Sequence, residues 1–189
     1  MTKDDALKIL DELKNSPNMK KHGLAVGFAM VAFYDYFSGK VKNPDLTKED
    51  WEIVGMLHDA DYEITGKSLE LHTEETTKKL QANGADQQII DAIRGHCDKV
   101  PRTTLMAKSV YAVDELTGLI VAAALVQPDK KLKSVSVDSV LRKLKDKYFA
   151  AAVNRDQIKT CETELEIPLE EFVEITLKSM QDHSDELGL

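Results

Sequence analysis

Histidine and aspartate residues that could bind metal ions are spread along this chain of 189 residues, which contains only five histidines. Imidazole nitrogens and carboxylate oxygens together favour Mn, Fe, Co, Ni or Zn, whereas Mg and Ca prefer oxygen ligands alone. A bound transition metal lowers the pKa of its water ligand towards about 7, and two such ions can also hold the oxygens of a substrate. If the fold brings these residues together, the sequence predicts a site for one or two divalent transition-metal ions. The candidate ligands are His22, His58, Asp59, His72, His96 and Asp114.

Two of these residues lie in apolar sequence surroundings, where a polar side chain needs a partner. His22 shares a helical face with small apolar residues three, four and seven positions later, so its ring is expected to point towards the core. Asp114 lies within the apolar stretch 109–125, where burying an unpaired carboxylate costs several kcal/mol. Gly118, one turn later, is unfavourable inside a helix and suggests close packing or the approach of a ligand. Taken alone, each residue has another interpretation: a hydrogen-bonded core histidine for His22, and an ion pair with an arginine such as Arg94 for Asp114.

The helices that must position these side chains are indicated by apolar residues at helical spacing and by start and stop signals. The sequence Thr47-Lys-Glu-Asp50 predicts a capping box that opens a helix ending at His58. Neighbouring side chains within a helix diverge by about 100°, but the departing chain at a helix end lets His58 and Asp59 converge.

Three further helices are predicted to carry the remaining candidate ligands. One follows Ser68 and would carry His72, and the next ends at His96. The longest opens at Thr103 and carries Asp114 within its apolar interior. The joint occurrence of these residues on separate predicted helices that can meet at one cavity favours a metal site.

The rest of the chain also has apolar residues at helical spacing, with no strand pattern or repeat. Later helices are predicted at about 137–149, 155–165 and 168–183. Glycine and proline number only 9 and 5, which argues against a turn-rich β fold. The sequence therefore predicts an all-α, irregular multi-helix bundle, with a helical core at 1–127 and a C-terminal helical extension at 128–189 that packs on it.

Charge and apolar runs limit the partners of the chain. The net charge is −8, so attraction to a nucleic acid polymer or an anionic membrane is not indicated. The longest apolar run, at 119–126, is far shorter than the roughly 20 residues of a membrane span. Two cysteines without a CxxC pair, and acidic residues where a secretory signal needs bases, predict a cytoplasmic protein with reduced thiols. The C-terminal third leaves two alternatives open, a lid over the site or self-association into a homo-oligomer.

Four short motifs, taken in order, resemble the HD-domain superfamily of metal-dependent phosphohydrolases. The similarity is closest to small bacterial HDIG-type proteins of unassigned substrate, and it covers roughly residues 20–124. Residues 137–150 and the pair 154–155 also resemble this subgroup. The motifs are Lys21-His-Gly-Leu-Ala-Val26, Leu57-His-Asp-Ala-Asp-Tyr-Glu63, Ile93-Arg-Gly-His-Cys97 and Ala112-Val-Asp-Glu-Leu-Thr-Gly118.

The resemblance implies a helical bundle of HD-domain type with a defined set of metal ligands. Members with additional histidines bind a second metal, which is bridged by the aspartate of the His-Asp pair. His72 and His96 match the additional histidines by their order in the chain. The positions that match the core ligands of the family are His22, His58, Asp59 and Asp114.

One position departs from the family pattern. Members that steer water with a glutamate three residues after the paired aspartate have no match here, because that position is Tyr62. Asp61 and Glu63 flank Tyr62 and are candidates for this catalytic role beside Asp59.

The activity implied by the resemblance is hydrolysis of a small phosphorylated metabolite, such as a nucleotide or related phosphoester, through metal-activated water. Cations around the phosphate oxygens assist such cleavage. The same ligand set also suits a di-iron oxygenase, which a minority of HD-fold proteins resemble, or a metal-stabilised binding or regulatory module without turnover. The basic residues considered for phosphate binding are Arg94, Lys99, Arg102, Arg142, Lys145 and Arg155.

Overall fold

A computed structural model describes residues 1–40, 44 and 46–189 of the protein. Within these residues the chain forms ten α-helices, one 3₁₀ turn and no strand, which confirms the predicted all-α class. None of the described helices combines the length and the apolar character that crossing a membrane requires. The helices are α1 (Lys3–Glu12), α2 (Pro17–Lys40), α3 (Lys48–Leu57), α4 (Glu74–Ala82), α5 (Gln87–Gly95), α6 (Leu105–Leu125), α7 (Val137–Lys145), α8 (Arg155–Glu164), α9 (Leu169–Asp182) and α10 (Ser184–Leu187), and the 3₁₀ turn spans Leu132–Ser134.

Polar side chains cap the helices that carry the candidate ligands. Thr47 and Asp50 form the predicted capping box of α3: the Thr47 N–H donates to Asp50 Oδ2 at 2.9 Å, and the Asp50 N–H donates to Thr47 Oγ1 at 3.2 Å. Helix α3 ends directly before His58, so His58 and Asp59 stand where the chain leaves the helix, as predicted. The cap of α6 is Thr104, one residue later than the sequence predicts.

The largest departure from the predicted helices lies between α3 and α4. Residues 58–73 form a series of turns, and α4 begins at Glu74 rather than directly after Ser68. His72 therefore lies in a turn and not on a helix. Thr73 has a φ of 69°, in the left-handed region, where a right-handed helix cannot continue.

A carboxylate from elsewhere in the chain holds the start of α4. Asp61 accepts hydrogen bonds from the backbone N–H of Thr73 at 2.8 Å and of Thr76 at 3.0 Å. The first turn of a helix has N–H groups without intrahelical partners, so Asp61 takes the place of a local cap. A cap supplied by a residue twelve or more positions away leaves no signal in the local sequence pattern. The helix start predicted after Ser68 is therefore too early.

One other helix end differs from the sequence prediction. Helix α7 ends at Lys145 rather than near 149, because Asp146 takes an extended conformation with ψ of 102°.

One hydrophobic core joins the N-terminal and C-terminal parts of the described chain. Trp51, Phe33 and Phe172 are fully buried members of this core. Phe172 of α9 stacks on Phe33 of α2, with ring centroids 4.6 Å apart. The helices after residue 128 therefore pack on those before it. Buried residues of α2, α3 and α6, which carry or directly precede the first candidate ligands, belong to the same core.

Glycine residues let α2 and α3 meet backbone to backbone. A Cβ atom added to Gly55 of α3 would lie 2.6 Å from the Cα of Gly27 in α2, and one added to Gly23 would lie 2.6 Å from the Met56 carbonyl oxygen. No real Cβ atom tolerates such distances, so the two helices can approach this closely only with glycine at these positions. The close approach of the helices brings His22 of α2 next to the end of α3.

We expect Gly55→Ala to destabilise the protein by about 3 kcal/mol, at the upper end of overpacking effects, because the methyl group meets rigid backbone rather than a movable side chain. Urea denaturation followed by circular dichroism measures this change. The matched control is Gly39→Ala near the end of α2, where an added Cβ has nothing within 4 Å. The control should be neutral or more stable by up to about 1 kcal/mol. Equal stability of the two variants would contradict the described packing.

Candidate metal centre

The first cluster of candidate ligands lies where α2, α3 and α6 meet. Nε2 of His22 is 3.1 Å from Nε2 of His58 and 3.1 Å from Oδ1 of Asp114. Nε2 of His58 is 3.3 Å from the same Asp114 oxygen. Oδ2 of Asp59 lies 3.7 Å from both histidine nitrogens. One donor atom from each of the four residues therefore faces a common point.

The second cluster lies beside the first, at the other oxygen of Asp59. Oδ1 of Asp59 is 3.0 Å from Nε2 of His72 and 3.3 Å from Nε2 of His96. The two histidine nitrogens are themselves 3.0 Å apart. Sγ of Cys97 and a ring nitrogen of each histidine lie within 4.8 Å of one another, which adds a thiol to this cluster. The structure thus brings together every residue named as a candidate ligand, with Asp59 between two groups of histidines.

The donor spacing fits metal ions. Two ligand atoms about 2.1 Å from one ion, at angles of 90–110°, lie about 3.0–3.4 Å apart. The distances among His22, His58 and Asp114 are 3.1–3.3 Å, and those of Asp59 to the second histidine pair are 3.0–3.3 Å. Asp59 lies slightly farther from the first histidine pair, at 3.7 Å. The mixture of nitrogen and oxygen donors suits a divalent transition metal.

Hydrogen bonds on the far side of the rings orient the histidines. His58 and His96 each donate from Nδ1 to the carbonyl oxygen three residues earlier, at 2.8 Å for His58. His72 donates from Nδ1 to Oδ1 of Asp61 at 2.9 Å. A carbonyl oxygen can only accept, so the Nδ1 atoms of His58 and His96 carry the proton, and Nε2 is the nitrogen that can bind a metal.

Asp61, a sequence candidate for steering water, occupies a structural position in the fold. Its side chain is fully buried and accepts from His72 and from two backbone N–H groups of the α4 start. Glu63 is exposed, and its carboxylate accepts from the Ser16 N–H at 2.7 Å. Neither carboxylate is part of the wall of the cavity above the clusters, so neither is placed to act on a substrate there.

Arg94 and Lys99, proposed from sequence as phosphate ligands, bind a different partner. Both donate to the carboxylate of Glu74, at 3.2 Å from Arg94 and 2.7 Å from Lys99. Lys99 also donates to backbone carbonyls of the turn segment that carries His72. Arg94 is therefore not the partner of Asp114, and the two cations hold the turn segment against the end of α5.

The other basic candidates also lie outside the cavity wall. The Arg102 guanidinium stacks on the ring of Tyr111, 3.6 Å from its centroid, and pairs with Asp98. Arg155 donates to the backbone carbonyls of residues 144, 146, 149, 150 and 153 and so fastens the segment between α7 and α8. Arg142 and Lys145 are exposed on α7. None of the six basic residues considered for phosphate binding therefore belongs to the wall of the cavity that contains the clusters.

The cavity over the two clusters has a volume of about 490 Å³ and an acidic or neutral polar wall. Helix α8 closes one side, where the Asn154 N–H donates to Oε2 of Glu115 at 3.1 Å and the Gln157 amide donates to the Tyr111 carbonyl at 2.9 Å. Tyr111 lies three residues before Asp114, so helical spacing could have placed it at the site. No local signal links the start of α8 to the histidines. Besides the ligands, polar wall residues are Tyr62, Cys97, Asp98, Tyr111, Glu115, Asn154 and Gln157.

The two carboxylates of the first cluster favour a positive charge at the point that the four donor atoms face. Burial alone lowers the pKa of His58, but the Asp59 and Asp114 carboxylates outweigh burial and raise that pKa to about 9. Burial opposes the ionisation of Asp59 and Asp114, yet the charge on His58 and hydrogen bonds from neighbouring histidines hold the pKa of both carboxylates below the usual range. Both aspartates are thus anionic at neutral pH, and a proton on His58 Nε2 stands where a cation would bind.

Metal binding is therefore expected to displace a proton. Below pH 9 the raised pKa of His58 means that its Nε2 is protonated, so apparent metal affinity should rise by up to tenfold per pH unit between pH 6 and 9. Calorimetric titration with Zn²⁺ in buffers of different ionisation enthalpy should show the release of at least one proton at pH 7 for the ion that binds at the first cluster. The His58→Gln variant is the control and should lose this proton release. Affinity that does not change over this pH range would contradict the assignment.

Comparison of the chain with protein-family models, with curated proteins and with solved structures finds no match in any of the three.

Proposed function

We propose that this protein is a dinuclear transition-metal hydrolase of HD-domain type that cleaves a phosphoester bond in a small phosphorylated metabolite. One observation carries the proposal: the two carboxylate oxygens of Asp59 face two separate histidine pairs at 3.0–3.7 Å. A carboxylate placed in this way would be shared by the two ions of a two-metal hydrolytic site. The order of ligands along the chain, which resembles that of the HD superfamily, supports the same function.

The residues divide into two ligand groups. His22, His58 and Asp114 would hold one ion, His72 and His96 the other, and Asp59 both. The ions would supply Lewis acidity and lower the pKa of a bound water.

Apart from the metal ligands, side chains in the cavity wall would orient a substrate through hydrogen bonds and would not supply positive charge. Tyr62, Asn154 and Gln157 present polar groups that can donate hydrogen bonds to a substrate. No Lys or Arg belongs to this wall in the described part of the chain, so the charge of a phosphate must be balanced by the metal ions and histidines. This balance favours a substrate with one phosphoryl group, including a nucleoside monophosphate, over a polyphosphate.

The test is hydrolysis of a phosphoester panel by purified protein supplied with Mn, Co, Ni, Fe or Mg. We expect turnover that depends on a transition metal, is abolished by a chelator and falls by at least about 10³-fold in His22→Ala, which corresponds to about 4 kcal/mol of transition-state stabilisation. Glu63→Gln is the control, because this exposed carboxylate lies outside the cavity wall. A blank panel from metal-loaded protein would contradict the proposal and favour a metal-stabilised binding module.

A second candidate function is a di-iron oxygenase, and the absence of Lys and Arg from the described cavity wall favours it. A substrate without a phosphate needs no cationic side chains, and six histidine and aspartate ligands suit two irons. Oxygen uptake by iron-loaded protein, together with a blank phosphoester panel, would support this function over hydrolysis.

A further inference from the structure

A second cavity of about 400 Å³ lies directly beside the metal-centre cavity. His22 and Gly118 belong to the walls of both cavities, so the two spaces meet at these residues. The volume of the second cavity falls in the range of about 300–1,000 Å³ that holds small ligands.

The wall of the second cavity is mainly apolar. Its polar side chains are Asn18 and Lys21, which are exposed and therefore stand on the solvent side, and His22, which it shares with the metal-centre cavity. The inner wall offers few groups that could bind a phosphate, a sugar or a charged group. Such a wall favours an aliphatic or aromatic group, which is removed from water when it binds. The apolar side chains come from α2, α6, α10 and the residues after α10, and they are Ala25, Val121, Leu125, Leu187 and Leu189.

Gly118 has no packing role that explains its presence in the middle of α6. An added Cβ at this position would meet nothing within 4 Å, whereas one at Gly55 would meet backbone at 2.6 Å. Glycine is unfavourable inside a helix, so the open space beside Gly118 is the feature that a larger residue would remove. That space is the junction of the two cavities. Of the two explanations that the sequence allowed for this glycine, the geometry supports the approach of a ligand.

We infer that the second cavity receives an apolar substituent of the substrate, and that Gly118 determines the size of the substituent that can pass. This inference rests on the proposed function, with the phosphoryl group at the metal centre and the apolar group extending past Gly118. The substrate class is then a phosphoester that carries an alkyl or aryl group of several carbons. Gly118 acts as a specificity-determining residue. It contacts the substrate only between the phosphoryl group and the apolar group.

Binding of alkylphosphonates to metal-loaded protein tests the inference without turnover. Inorganic phosphate and the methyl, butyl and hexyl phosphonates are titrated by calorimetry. Each methylene that is buried strengthens binding by up to about fourfold. We expect the hexyl compound to bind at least about tenfold more tightly than the methyl compound.

The Gly118→Leu variant tests whether the gain in affinity with alkyl chain length depends on the open space beside Gly118. Its leucine side chain would fill the junction, so the ratio of hexyl to methyl affinity should fall by at least about fivefold. Gly39→Leu places the same side chain in a helical position with open space and outside both cavities, and it should keep the wild-type ratio. Thermal unfolding verifies that both variants fold.

The outcomes separate the two proposals. If phosphate and methylphosphonate bind but affinity does not rise with chain length, the inference about the apolar cavity is wrong and the proposed function stands. A rise that persists in Gly118→Leu also overturns the inference. If none of the compounds binds, including phosphate, the proposed phosphohydrolase function fails and the inference fails with it.

Discussion

Asp59→Asn is expected to lower metal-dependent hydrolysis by at least about 10³-fold, equivalent to about 4 kcal/mol. The reason is that both oxygens of Asp59 face histidine nitrogens of different clusters, at 3.0–3.7 Å. An amide offers one oxygen and one NH₂ group, so it can serve only one of the two ions. Initial rates with saturating Mn or Co measure the effect.

The control for this prediction is Asp98→Asn. Asp98 is also part of the cavity wall, but its carboxylate pairs with Arg102. The variant removes the same charge from the same cavity and should stay within about threefold of the wild-type rate. If both variants lose activity equally, general cavity charge, rather than a bridging carboxylate, would explain the loss.

The second large effect is expected for Asp61→Asn, which should weaken binding of the second metal ion by about 10–100-fold. Asp61 fixes the ring of His72 through Nδ1 and accepts two backbone N–H groups at the start of α4. An asparagine NH₂ group cannot accept from these donors, so at least one buried donor loses its partner. We expect a loss of stability of about 2–4 kcal/mol, because a buried hydrogen bond to a charged group is broken.

Two readouts distinguish this positioning role from a purely structural one. Metal titration should show the first ion binding at near wild-type affinity and the second ion weakened, while urea denaturation measures stability. Asp50→Asn is the matched control, because Asp50 also holds the start of a helix but lies in the exposed capping box of α3. This control should lose about 1 kcal/mol and no metal affinity. Equal weakening of both ions in Asp61→Asn would argue against the orientation of His72 as the cause.

Local sequence signals predicted much of the scaffold. The capping box at Thr47 and Asp50 and the position of His58 at the end of α3 depend on residues three or four apart, and both are confirmed. The convergence of His58 and Asp59 followed from the same helix end. The all-α class followed from apolar spacing, because helical periodicity is visible wherever one face of a helix is buried.

Features that depend on distant contacts were not predictable. The start of α4 is fixed by Asp61, which is twelve residues before Thr73 in the chain. The basic residues are bound by partners that only the fold reveals, such as the backbone carbonyls around Arg155 and the carboxylate of Glu74. A count of cations in the sequence cannot distinguish a phosphate ligand from a residue that fastens a loop. The wall residues of α8 were missed for the same reason.

The most direct test of the two-ion centre is the number of metal ions bound per chain, measured by elemental analysis after saturation with Mn or Co and removal of free ion. We predict two ions in the wild-type protein and one in His72→Ala, which keeps the His22, His58 and Asp114 group intact. No bound ion in the wild-type protein, or two ions in both proteins, would contradict the assignment of Asp59 as a bridge between two metal sites.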